Sequence, residues 1–396
     1  MLLRYIARRI PYVIPQLFGI ILVSFFMLKL IPGDPAVMML GPMASAQSLA
    51  ALREKMGLSK PLWQQFFYYI RDVVHGDFGT SWQTTRPVIE DLFQRFPATL
   101  ELVTFGLLLA LAIGFPLGVA AARLRSGPVH KFSDYYGLLA GAMPDFWLAL
   151  VLIYIFYTQL GWIAAPLGRI DMAVVPPKTV TGSLVIDSLL AGDFEALSSS
   201  FGHLVLPVLT LGIINAGPIL KMTQTMVSRA LSSEFVHYAE MCGLPRRVVL
   251  RQAVRAALPA IVTIVSVLYG FLIGGAVLVE IVFSWGGAGQ YAVQGVLNAD
   301  VNPVLGFVVF SAVLSLIIYL VVDLIYFSLD PTDARVIRNV RRNQADPCSS
   351  NLWVTFPAYR REPVRGLKGI DLRIEAGEFI GLVGEVWVWK TTLARG

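Results

Sequence analysis

S-S-E-F-V-H-Y-A-E-M-C-G-L-P-R-R-V-V-L-R-Q-A-V-R-A-A-L-P, Ser232 to Pro259, is a basic stretch set between two strongly apolar ones. Its punctuation predicts its shape. Glu234 to Met241 can form a short helix, with Phe235, Tyr238 and Met241 at helical spacing. Gly243 suits the stop just past a helix end, where φ turns positive, and Pro245 suits the first turn of the next helix. The expected shape is a helix–glycine–helix elbow lying parallel to a membrane. An apolar knob flanked by charge suits insertion into a partner's groove; the plainer reading is an interfacial amphipathic loop.

The sequence on either side of the elbow gives the class. Of 396 residues 56% are hydrophobic and only 15% are charged, more apolar surface than a soluble domain has use for. Six apolar runs can span a hydrocarbon core of about 30 Å as helices: 11–31, 99–122, 136–160, 203–222, 257–282 and 304–328. The first lacks a small-residue cleavage site, so it reads as a span and not as a removed signal peptide. The expected fold class is all-α integral membrane with six transmembrane helices.

Charge orients the spans. Arg4, Arg8 and Arg9 precede the first run, and Arg123, Arg125 and Lys131 follow the second. Lys221, Arg229, Arg246, Arg247, Arg251 and Arg255 lie around 223–256, and Arg335, Arg338, Arg341 and Arg342 follow the sixth run. All four groups fall on one side if both termini are cytoplasmic. The net charge of +6 therefore reports topology and contact with lipid, and no nucleic-acid partner is expected.

Enzyme chemistry finds no footing. His75, His130, His203 and His237 are scattered without a metal-ligand spacing, and there is no G-x-S-x-G. No catalytic or metal site is expected. Cys242 and Cys348 lie far apart, both on the reducing side, so no disulfide is expected. Among ionisable groups near the spans, Asp145 follows Pro144 at mid-depth of the third run and is the candidate for lining a pathway, where it would face a cationic group. Its alternative role is to satisfy backbone freed by the proline. Glu101, Glu280 and Asp323 lie near span ends, where snorkelling or pairing at the interface is expected. The first outer segment, 32–98, reads as folded: Ser48 to Met56 is helical up to Gly57, and Pro61 opens a second helix bearing Trp63, Phe66, Phe67 and Ile70. The outer segment 161–202 reads as a lid or packing loop.

Several motifs occur in a telling order: Leu52 to Leu62 (L-R-E-K-M-G-L-S-K-P-L), G-D-F-G-T-S (76–81), F-P-A-T-L (96–100), L-G-W-I (160–163), H-L-V-L-P (203–207), F-S-W-G-G-A-G (283–289) and L-D-P (329–331). With Ala239, Gly243 and Pro259 of the elbow, they make residues 1–336 resemble the dipeptide/oligopeptide/nickel permease family of ABC importers. Glu240 and Cys242 depart from that family's more usual basic residues. The resemblance implies a permease domain, 1–336, whose loop 223–256 docks an ATPase through Glu234, Phe235, Tyr238, Ala239, Gly243 and Pro259. It implies further partners: a second homologous permease, two ATPase subunits and an extracytoplasmic solute-binding protein. ATP and magnesium would be used by the ATPases, with no cofactor on this chain. The location implied is the bacterial inner membrane. The motifs do not separate peptides from nickel chelates as substrate.

From about 337 the sequence changes character. A polar linker leads to Leu367–Glu385, which resembles the opening strands of an ABC ATPase domain, and Lys390 to Leu393 resembles the end of its phosphate loop. Gly384, Lys390 and Thr391 stand in place. Trp389 and Trp387 occupy positions usually held by glycine, where a bulky residue is strained and fills phosphate space. The expectation for 337–396 is a short, degenerate α/β-like remnant. Two rival readings are a fused half-transporter that hydrolyses ATP, and a damaged product of a frame-disrupted permease–ATPase gene pair.

Overall fold

The computed structural model describes residues 2–30, 36–37, 41, 44–55, 59–124, 127–298, 300–329, 352–356 and 364–370. The chain divides into two units, Met1–Tyr326 and Phe327–Gly396.

The first unit is helical. Its elements are α1 (Leu2–Leu30), α2 (Ala46–Lys55), α3 (Leu62–Val74), α4 (Val88–Arg123), α5 (Pro128–Ala142) and α6 (Asp145–Leu152), which runs on as a π-helical turn to Gln159. Then come α7 (Leu184–Ala191), α8 (Phe194–Leu231), α9 (Glu234–Met241), α10 (Arg246–Gly275), α11 (Val277–Val282), α12 (Ala288–Leu297) and α13 (Val301–Leu329), the last three residues of which fall past the unit's end at Tyr326. Helices α4, α8, α10 and Val301–Val322 of α13 are each long and apolar enough to cross a membrane. The pair α5 and α6 together would make a fifth crossing. In α1 the described apolar part, Ile14–Met27, is shorter than a span.

Three expectations about the spans need correction. The run 136–160 is not one straight helix: α5 and the helix from Asp145 to Gln159 meet at a bend of 102°. The cause is local, since a residue before proline is pushed from the helical to the extended region, and Met143 takes φ −86, ψ 128. The run 257–282 ends as a long helix at Gly275, and Val277–Val282 is a separate short helix. The stretch 223–256 is mostly not loop, because α8 continues to Leu231 and α10 begins at Arg246.

The core is built on α4 against α8. Gly106, Ala110, Gly114 and Gly118 recur every four residues on α4 and form a small-residue strip. A Cβ at Gly114 would stand 2.6 Å from the Ala216 carbonyl oxygen, and one at Gly118 would stand 2.6 Å from Thr223 Cβ. Backbones therefore approach closely, and Leu102, Leu107, Leu211, Ile219 and Leu272 pack around the seam, all buried. Helix α5 joins the bundle through Lys221, whose Nζ donates to Asp134 at 2.6 Å. Lys221 thus has a structural role beside its place among the basic residues that orient the spans.

In the second unit, β1 (Leu352–Phe356) pairs antiparallel with β2 (Val364–Ile370). Gly384, Trp387, Trp389, Lys390, Thr391 and Cys348 lie outside the described residues.

Candidate functional site

The elbow is built from the residues upward. Ser232 ends α8 and Ser233 precedes α9, in extended backbone. Val236 turns inward and packs with Val249 and Ala253 of α10, with Ala230, Leu231 and Ala239 around them. This small base fixes α9 against α10. Helix α9 then stops in a Schellman motif: the Gly243 N–H donates to the Glu240 carbonyl at 2.9 Å, and the Leu244 N–H to the Ala239 carbonyl at 3.2 Å. Gly243 takes φ +73, a conformation that costs a residue with a Cβ. Pro245 is the capping residue just before α10, one position earlier than first-turn placement.

With the base fixed, the other face of α9 stands open. Phe235, Tyr238 and Met241 are 46, 71 and 77% exposed, and Leu244 is exposed beside them. Glu234 and Glu240 lie on the same short helix and are exposed. Arg246, Arg247, Arg251 and Arg255 line α10, also exposed. Pro259 lies within α10, half-buried, and its carbonyl accepts from the Thr263 hydroxyl at 2.9 Å. The elbow is thus an apolar ridge on a rigid, charged frame.

The second candidate position, Pro144–Asp145, sits at the 102° bend. Pro144 is exposed and Asp145 half-buried. Asp145 is the first residue of α6, in its first turn.

Sequence reasoning missed a third site, a buried polar clamp. Glu101 on α4 is buried and pairs with Arg169, and it also accepts from the Ser183 hydroxyl at 2.6 Å and the Val185 N–H at 3.0 Å. The pairing part of the expectation holds here, and snorkelling does not. Glu280 on α11 is fully buried and accepts from Thr99 Oγ1 and from the Gln290 N–H at 2.8 Å. It too is held inside the protein. Trp285 Nε1 donates to the Ala98 carbonyl at 2.9 Å. A signal for this did exist, in the glycines of F-S-W-G-G-A-G. A Cβ at Gly287 would collide with the Glu280 carboxyl group, so the motif is shaped around that side chain.

The same region fastens neighbouring segments. Asp300, fully buried, accepts from the Ser81 hydroxyl at 2.7 Å and the Trp82 N–H at 2.7 Å. The Tyr291 hydroxyl donates to Asp91 at 2.8 Å. Burial and the neighbouring Asp91 push the Tyr291 phenol well above its ordinary range. Asp187 gathers the Thr181 N–H and hydroxyl, both at 2.7 Å, and the Gly182 N–H at 3.0 Å. Burial opposes its charge, yet these donors hold its carboxyl below the usual carboxylate range.

Four helices long and apolar enough to cross a membrane, with a bent pair that would make a fifth crossing, define a multi-pass membrane protein with an exposed elbow between two of its spans. The chain belongs to the family of binding-protein-dependent transport system inner membrane components, which it matches over residues 114–332, with that family's N-terminal region matched over residues 2–103. It is 36% identical to the dipeptide transport system permease protein DppB of Alkalihalophilus pseudofirmus over 331 residues, 83% of this chain and 99% of that one. It is 38% identical to the probable D,D-dipeptide transport system permease protein DdpB of Escherichia coli K12 over 80% of this chain and 93% of that one. It is 32% identical to the glutathione transport system permease protein GsiC of Salmonella typhimurium over 83% of this chain and 98% of that one. The protein is a multi-pass transmembrane permease subunit of an ABC importer. It is a transport subunit and not an enzyme, and it works with an ATPase and a solute-binding protein.

Proposed function

We propose that this permease imports short peptides, and that the ridge Phe235–Tyr238–Met241 is where its ATPase docks. The named substrates of the similar permeases, a dipeptide, a D,D-dipeptide and glutathione, support the substrate class. The observation that carries the docking reading is the ridge itself: large apolar side chains held in the open by a buried base and a Schellman stop. Such a knob fits a partner's groove.

In this reading the chain crosses the membrane six times. Helix α1 is the first crossing, and the α5–α6 pair is one bent crossing. Both termini and the elbow are cytoplasmic, as the arginines of α10 favour, and 32–98 and 161–202 face the solute-binding protein. A second homologous permease closes the pathway, and two ATPases bind and hydrolyse ATP with magnesium, so this chain needs no cofactor. Asp145, at the bend, offers a carboxylate to a peptide's ammonium end. The tail 337–396 is a remnant of an ATPase domain and takes no part in transport.

Cys242, exposed and free at the elbow, supplies the test. With Cys348→Ser it becomes the sole thiol. A membrane-impermeant maleimide should label it in inside-out vesicles and not in intact cells, and addition of the ATPase subunits should suppress labelling. Labelling from outside would sink the orientation; labelling unchanged by the ATPases would sink the docking site.

A further inference from the structure

One contact between α8 and the segment before α7 depends on a proton. His203 lies on α8, one turn after Ser199, and its side chain is 3% exposed. Its Nδ1 is 2.9 Å from the Ser199 carbonyl oxygen. A carbonyl oxygen only accepts, so Nδ1 carries the hydrogen, and in the neutral ring Nε2 has a lone pair and no hydrogen. Nε2 faces Oδ1 of Asp171 at 3.7 Å. Two acceptors oppose each other there until Nε2 takes up a proton. With that proton the contact becomes an ion pair.

Asp171 is where the segment 161–182 meets α8. Its N–H donates to Ser199 Oγ at 2.9 Å, and the Ser199 hydroxyl donates to its Oδ2 at 3.1 Å. The turn that follows is closed by the Val174 N–H on the Asp171 carbonyl at 3.1 Å. The contacts with Ser199 need no charge on the imidazole, so His203 adds to them only when it is protonated.

Other charged groups on the surrounding elements are engaged elsewhere. Arg169 pairs with Glu101 of α4 and lies over the Trp285 ring. Glu280 of α11 is held by Thr99 and the Gln290 N–H. Asp187 of α7 collects the donors of 180–182, and Asp193 caps α8 through the Ala196 N–H. Glu195 and Lys178 are exposed, and Asp145 stands at the α5–α6 bend. Asp134 with Lys221, and the arginines around Val249 and Ala253, lie toward the far end of α8. Among the described residues, Asp171 is the one carboxylate within ion-pair distance of His203.

We infer that His203 and Asp171 form a pH-sensitive latch, which fastens the segment 161–182 to the start of α8 more tightly in acid. Histidine is the side chain that changes charge between about pH 5 and 8. The added hold is present when the imidazole is charged and is lost as pH rises and the proton leaves. With 161–202 on the outer side, as proposed above, the pH sensed is that outside the cell. The latch itself does not depend on that orientation.

Hydrogen exchange of the full-length protein in lipid nanodiscs tests it, at about pH 5.5 and about pH 7.5. Rates are corrected with an unstructured peptide of the same sequence. Asp171 is half in water, so the gain is modest: protection over 171–175 should be about 2–5-fold greater in acid. Asp171→Asn keeps a partner for Ser199 and removes the charge, and His203→Gln removes the titrating ring. Both should abolish the difference between the two pH values. Where His203→Gln fails to fold, Asp171→Asn decides, since the Asp171 side chain is 56% exposed. Wild-type protection that is equal or weaker in acid overturns the latch. So does an acid gain that survives in Asp171→Asn.

Discussion

The Thr99 hydroxyl donates to the Glu280 carboxylate at 2.5 Å and accepts the Ala288 N–H at 2.9 Å, so one side chain inside α4 joins that helix to two segments 181 and 189 residues away in the chain. Glu280 has no solvent exposure, and the Gln290 N–H also depends on it. Glu280→Ala would orphan two donors in a buried site, each costing about 1–3 kcal/mol. The expected result is a clear drop in the thermal midpoint of the detergent-purified protein. Thr99→Val should lower the midpoint too, since it removes one partner of Glu280 and leaves the buried Ala288 N–H without its acceptor. A Glu280→Ala protein as stable as wild type would show that the clamp is not a stabilising element.

Arg169 and Glu101 invite a double-mutant cycle. Their side chains are 15 and 1% exposed. Removing one partner of a buried pair leaves the other charge uncompensated, at about 3–5 kcal/mol. Arg169→Ala should therefore be severely destabilising, and Arg169→Ala with Glu101→Gln markedly less so. Additive losses in the double mutant would contradict the pairing.

These two contacts mark where sequence reading ends. The helices α4, α8 and α10 were legible because an apolar run of sufficient length has few other uses. The elbow was legible because serine, glycine and proline act on their immediate neighbours. Gly243 was placed correctly at a positive φ by chain position alone. The bend at Pro144 was not, because hydropathy along 136–160 is continuous and says nothing of direction. Nor was the clamp: Arg169 meets Glu101 across 68 residues, and no local pattern encodes that meeting. Glu280 stands near a span end in the sequence, and only the fold brings its carboxyl group against Gly287.

The elbow prediction concerns coupling. Gly243 has φ +73 and open space where a Cβ would stand, so only backbone strain opposes substitution. Gly243→Val should cost about 1–3 kcal/mol locally and misplace the ridge. Substrate-stimulated ATP hydrolysis by the assembled transporter should fall while the subunit still reaches the membrane. Gly243→Asn, which tolerates the left-handed region better, should retain most of the stimulation. Equal activity in all three proteins would sever the link between elbow geometry and coupling.

The Asp187 carboxylate predicts a pH dependence. Its folded pKa is depressed by the donors it collects, so the native state holds fewer protons than the unfolded chain as pH approaches the carboxylate range. Its stabilisation is present above the unfolded value, about 3.9, and is lost as pH falls through the lower folded value. Asp187→Asn should be less stable than wild type at neutral pH. The gap should narrow as pH falls below about 4.5. Thermal melts across that range read the effect directly, and a gap that widens on acidification would reverse the assigned sign.

The tail yields the sharpest separation between a permease and a fused half-transporter. Trp387 and Trp389 stand just before Lys390 at positions usually held by glycine, so glycine's conformations and small size are missing there. The family matches cover residues 2–103 and 114–332, within the stretch that precedes the polar linker. Deleting residues 343–396 should leave uptake intact when separate ATPases are supplied. Lys390→Ala in the full chain should be equally silent. Deletion should also improve the yield of the subunit, because Val386–Trp389 is an apolar, β-prone run with no charge of its own. A large loss of uptake at normal membrane abundance, after either change, would give the tail a part in transport.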